Sequence, residues 1–166
     1  MALELNGTTG VSAVQTGAVE SGDLPAGSVI QVVSAVPPTD VTSTSANWVD
    51  SNIELSITPS NTVSKIMGVC SYYFAAFDTT STRLRFGVRM VRDGTVIAGG
   101  HTDSQEVRNL EKISGGSSIT FLDSPNTTSL ITYTLQFYVR DGTVIIRNAA
   151  DTLPQPANIT LMEIAG

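Results

Sequence analysis

The chain has few residues with which to do covalent chemistry. Its 166 residues include one cysteine, one histidine and one tryptophan, and only 14% are charged. A lone Cys70 cannot close an internal disulfide, and its place in the apolar run Ile66 to Phe77 marks it as a small buried hydrophobe and not a catalytic thiol. With His101 as the sole histidine, a His-based metal cluster within one subunit is excluded. A Ser-His-Asp arrangement would have to come from His101, Asp103 and Ser104, in a polar loop without the strand-turn-helix elbow that presents a nucleophile. Lysine occurs only at Lys65 and Lys112, the net charge is −6 and the pI is near 4.5. The clustered cations that displace counterions from phosphates are missing, so no nucleic-acid partner is expected. No window approaches the roughly 20 apolar residues of a membrane span, so no membrane insertion is expected. Residues 1 to 20 lack both a basic start and an unbroken apolar stretch, so no standard export signal is expected either.

Other catalytic patterns fare no better. Asp78, Asp103, Glu106, Glu111 and Asp123 could supply a glycosidase pair only if two of them stood about 5 to 10 Å apart, and their loop-like settings fit solvation. Gly99-Gly100 and Gly115-Gly116 lack the strand-to-helix context of a phosphate cradle and read as loop ends. No catalytic residue, metal or cofactor is expected. The sequons at Asn6, Asn126 and Asn158 are what a chain so rich in hydroxyls produces by chance, since Ser and Thr make up roughly a quarter of it.

What is present is β chemistry. One heptapeptide occurs twice, as Val91-Arg92-Asp93-Gly94-Thr95-Val96-Ile97 and as Val139-Arg140-Asp141-Gly142-Thr143-Val144-Ile145. Asp-Gly between β-branched residues is the strongest short-range hairpin signal, so two tight turns are expected, with Val91 opposite Val96 and Met90 opposite Ile97. Period-two alternation then puts Leu84, Phe86, Val88, Met90 and Arg92 on the core face, with Arg83, Arg85 and Arg89 on the other. In the second copy Tyr133, Leu135, Phe137 and Val139 share the core face, and Thr132, Thr134, Gln136, Tyr138 and Arg140 oppose them. Equivalent residues thus face opposite ways, which argues for reuse of turn chemistry and against a duplicated domain.

Ten strands follow from the same reading: Ser28 to Val36, Val41 to Val49, Ile53 to Thr58, Val63 to Phe77, Arg83 to Arg92, Thr95 to Ala98, Ser118 to Leu122, Thr128 to Arg140, Thr143 to Asn148 and Ile159 to Ile164. Ser104 to Ile113 forms at most a short helical turn. The expected fold is all-β, an antiparallel β-sandwich or jelly roll over residues 28–166. Residues 1–27, with five glycines and little apolar surface, read as an extended arm for attachment and trimerisation. An apolar strand that runs to residue 166 is expected to be stitched into a sheet or an intersubunit seam. The connection Gly99 to Ser117 is the leading binding loop, with His101, Asp103, Gln105, Arg108 and Asn109 as its contact residues. Among the run Tyr72, Tyr73, Phe74 and Phe77, alternate members are expected in the core.

Leu5-Asn6-Gly7-Thr8-Thr9-Gly10-Val11, Asp23-Leu24-Pro25-Ala26-Gly27-Ser28-Val29-Ile30-Gln31-Val32-Val33, Ser118-Ile119-Thr120-Phe121-Leu122-Asp123-Ser124-Pro125 and the terminal Ile159 to Gly166 form a pattern. With Ile57-Thr58-Pro59-Ser60 and Val63-Ser64-Lys65-Ile66, the chain resembles the small tail-fibre and appendage proteins of tailed bacteriophages, of the marine and cyanobacterial type. The resemblance implies a non-enzymatic virion protein, made in the host cytoplasm, that forms a homotrimer. It further implies attachment to other virion proteins through the arm, where Leu5, Val11, Val14, Val19 and Leu24 are the apolar contacts, and binding of a host surface glycan or protein through the β-domain. The alternative role is a capsid decoration or head-fibre protein.

Overall fold

The computed structural model describes residues 23–77, 83–99, 105–108, 112–147 and 157–166, with the backbone alone for Arg83, 105–108 and Arg147. The expected attachment residues Leu5, Val11, Val14 and Val19 lie outside the described residues.

Alternation produces a two-sheet sandwich. Strand β5 (Arg83–Arg92) buries Leu84, Phe86, Val88 and Met90, and β9 (Ile131–Asp141) buries Tyr133, Leu135, Phe137 and Val139. Strand β4 (Lys65–Phe77) buries Ile66, Cys70, Tyr72, Phe74 and Ala76 at every second position, while Tyr73 and Phe77 are half-buried. These faces meet in one continuous core that also takes Ile53, Ile57, Phe121, Val144, Ile146, Ile159 and Leu161. The remaining strands are β1 (Val29–Ala35), β2 (Val41–Ser43), β3 (Val49–Ile57), β6 (Thr95–Gly99), β7 (Gln105–Arg108), β8 (Lys112–Asp123), β10 (Thr143–Arg147) and β11 (Asn158–Ile164). All pairings are antiparallel.

The first sheet is built on β4. Strand β8 pairs one of its edges from Ile66 to Phe77, and β11 and β10 share the other edge end to end. Beyond them lie β1, beside β11, and β2, beside β10. The second sheet runs β3-β9-β5, and the outer edge of β5 is likewise shared by β6 and β7. The terminal strand is therefore an interior strand of the first sheet, stitched between β1 and β4.

The two heptapeptides fold differently. Asp93 (φ 45°) and Gly94 (φ 85°) form the two-residue turn with both centres at positive φ, and Val91 pairs with Val96. A bulge then sets Met90 opposite Ala98 instead of Ile97. At the second copy only Gly142 has positive φ (88°), and the chain crosses from β9 in one sheet to β10 in the other. The expected second hairpin is thus corrected to a corner. Strand β9 is paired on both edges, by β3 and β5, so β10 has no edge of β9 on which to fold back.

Other boundaries shift for similar reasons. The single strand expected over Val41 to Val49 divides into β2 and the start of β3, because Ser43 and Ser45 accept side-chain bonds from backbone N–H groups two residues on. Asn52 (φ 62°) marks a bulge in β3. The helical turn proposed for Ser104 to Ile113 is replaced by β7 and the first residues of β8, and Gly115-Gly116 lie inside β8 opposite Phe74 and Tyr73. Long-range pairing overrides the local glycine signal there.

Candidate binding face

The outward surface of the β3-β9-β5 sheet carries a connected polar and aromatic network. Register builds it: Asp50 of β3 lies opposite Gln136 of β9, which lies opposite Arg89 of β5. Directly opposed residues share a face within side-chain reach. Gln136 Nε2 donates to Asp50 Oδ1 at 2.7 Å, and Arg89 Nε donates to Gln136 Oε1 at 2.8 Å. The Arg89 guanidinium sits 4.1 Å above the Trp48 ring, and Trp48 meets Tyr138 edge to face at 4.7 Å. Such cation–π and T-shaped contacts fix the orientation of planar groups. Trp48, Arg89 and Gln136 are half-buried and Asp50 is exposed, so the network is reachable from solvent. Farther along the same face Arg85 Nε donates to Asp141 Oδ2. This arrangement offers an indole, a guanidinium and amide groups on one sheet face, which suits hydrogen-bonding recognition of a polar ring or peptide.

Two further polar clusters tie the sandwich together. Asp123 of β8 accepts from Arg92 of β5 and, at 2.7 Å, from the Tyr133 hydroxyl of β9, so it clasps the two sheets at one end. Burial, reinforced by the Asp123 charge, holds the Tyr133 phenol proton well above its usual range. Arg92 keeps its proton against partial burial because of Asp123. Arg92 thus joins the core face as alternation requires. At the other end Glu163 is fully buried on the inward side of β11 and accepts from Gln31 Nε2 (2.6 Å), Ser60 N (2.7 Å) and Ser60 Oγ (2.7 Å). Burial pushes its pKa up, and the donors of Gln31 and Ser60 with the nearby Ser64 hydroxyl outweigh that push, so the carboxyl titrates below its ordinary value. Ser64 Oγ lies outside hydrogen-bond geometry, so it acts as an electrostatic neighbour and not as another donor to the carboxylate.

Two of the expected contact residues are described, and both are on a strand. Gln105 and Arg108 lie on β7, in register with Phe86 and Arg83 at the edge of the same sheet; His101, Asp103 and Asn109 lie outside the described residues. Much of the supposed loop from Gly99 to Ser117 is strand, which corrects its reading as one long connection. Leu24, the described member of the expected attachment set, is half-buried beside Ile30, Val63 and Ala165 in a hollow of about 120 Å³. Alternation had already put Arg89, Gln136 and Tyr138 outward. Their union with Trp48 and Asp50 depends on register between strands far apart in sequence, which no local signal carries.

Among the described residues no group of three His, Cys, Asp or Glu side chains could hold a metal ion. Burial pushes the Cys70 thiol up to about 12, so it is not a ready nucleophile. A cleft of about 250 Å³ opens where β10 and β11 part on β4, lined by Tyr72, Tyr73, Ser117 and Asn158 among others. Tyr72 is held there by Ser117, and burial raises its pKa.

No family model and no curated protein matches this chain. Among solved structures, the chain is similar to the VP2 subviral particle of infectious bursal disease virus, with a TM-score of 0.41 and 10% identity over 82% of this chain and 38% of that one. A mutant VP2 of the same virus, in derived T=1 particles, gives a TM-score of 0.39 and 12% identity over 81% of this chain and 36% of that one. The chain spans well under half the length of these VP2 chains.

Proposed function

We propose that this chain is a non-enzymatic virion fibre protein of a tailed bacteriophage. It works as a homotrimer, is attached to other virion proteins by residues 1–27, and binds the host surface through its β-domain. The observation that carries the reading is the Asp50–Gln136–Arg89–Trp48–Tyr138 network on an outward sheet face. A polar and aromatic network built across the outward face is what a recognition surface needs: rigid planar groups whose ordering is complete before contact. The resemblance of the sequence to phage appendage proteins supplies the setting. A glycan or a protein on the bacterial surface fits the face equally in chemistry, and several weak sites on one particle would give firm attachment. Antibody raised to residues 28–166 is expected to label the tail of purified virions and to block their adsorption. Label confined to the head, with adsorption intact, would replace the fibre role with capsid decoration.

A further inference from the structure

The two outer faces of the sandwich differ in kind. On the first sheet, register aligns Val32 of β1 with Met162 of β11, Met67 of β4 and Leu122 of β8 in a single row. Paired residues point to the same side, so the row is an apolar band across four strands. Val32 is 57% and Leu122 60% exposed, and Met67 and Met162 are half-buried. Half-buried Val69 and Ile164 widen the band. The next row is one of hydroxyls, with Ser34 and Thr160 3.1 Å apart and Thr120 beyond Val69.

We propose that copies of this chain meet on this face, along the row Val32, Met162, Met67 and Leu122. Charge selects the occupant. The chain carries 15 acidic against 9 basic residues, so copies repel one another over most approaches. Yet β1, β4, β8 and β11 contain just two carboxylates, Glu163 and Asp123, and both turn inward to their donors. Among the described residues of this sheet, the charged ones in register with the outward rows are Lys65, Lys112 and, on β10, Arg147, none of them in the apolar row. Two acidic copies can therefore bring this face together without burying like charges, whereas a cationic partner would find nothing to pair with. Size agrees as well. Seven residues of β1, thirteen of β4, twelve of β8 and seven of β11, each covering about 4.8 by 3.4 Å, make a face of roughly 640 Å², within the range of ~600 to 1,000 Å² per partner of a stable interface.

The inference deepens the proposed homotrimer and depends on it only for the number of copies. The test is the solution mass of the full chain by light scattering, for the wild type and for Leu122→Lys and Val32→Lys. Both positions are exposed in the single chain, so lysine there leaves the fold intact. The expected result is a three-chain wild type and variants at monomer mass. A two-chain wild type with monomeric variants keeps the face and removes the trimer. A monomeric wild type removes both, and variants that remain oligomeric overturn the face while the trimer stands. As a second readout, Leu122→Cys adds one thiol outside the core, since Cys70 is buried. Slow alkylation of that thiol in native protein, at least tenfold below the denatured rate after correction for the free-thiol rate, supports the interface; rapid alkylation overturns it.

Discussion

At the scale of single residues, backbone conformation and one buried carboxylate carry the sharpest consequences. Gly94 and Gly142 both adopt φ near 85 to 88°, where a β-branched side chain is strained. Gly94→Val and Gly142→Val are each expected to destabilise the fold by about 1 to 3 kcal/mol, read as lowered melting temperatures. The two turns differ in shape, but the glycine requirement is common to both. Glu163 gives a pH test. Its folded-state pKa lies below the unfolded value, so it contributes stability that is complete above the unfolded pKa and is lost as pH falls through the folded one. Glu163→Gln should lower the urea midpoint at pH 7, by the equivalent of about 1 to 3 kcal/mol, because a buried acceptor of three donors is weakened. The gap between wild type and variant should narrow as the pH drops below the ordinary carboxylate range. A gap that stays constant with pH would show that the carboxylate charge contributes nothing.

At the scale of elements, what could be read in the sequence was whatever depends on neighbours along the chain. Alternation in β5 and β9 identified the buried faces, including the inward Arg92 and Val139 of the two heptapeptides. Cys70, Tyr72 and Phe74 fell inside and the last strand entered a sheet, as their apolar context implied. What local chemistry could not reveal was which edges are already occupied. Asp141-Gly142 carries the same hairpin signal as Asp93-Gly94, and the pairing of β9 on both sides converts it into a corner. Gly115 and Gly116 look like loop residues until β4 supplies twelve residues of partner for β8. The binding face was half legible: Arg89, Gln136 and Tyr138 were outward, but Asp50 and Trp48 join them through long-range register. The clasp of Arg92, Asp123 and Tyr133 has the same origin, and it joins strands of both sheets. Arg92→Met should cost about 2 kcal/mol or more in chemical denaturation, because it leaves the mostly buried Asp123 charge with neutral donors, the Tyr133 hydroxyl and the Ser124 N–H, and no counter-charge. An unchanged midpoint would show that the clasp is not a stabilising contact.

For the whole molecule, the sandwich separates two surfaces by chemistry. One sheet turns an apolar, carboxylate-free face outward, and the other turns a networked face of Trp48, Arg89, Gln136 and Asp50. In the proposed reading, assembly and recognition take a side each, with a single core between them. The account therefore stands or falls on the networked face making the host contact. The most direct measurement is adsorption to host cells of virions carrying the double variant Trp48→Ala/Arg89→Ala, with the amount of this chain per particle determined on the same preparation. The account predicts normal incorporation and adsorption reduced at least tenfold. Normal incorporation with unchanged adsorption would contradict it.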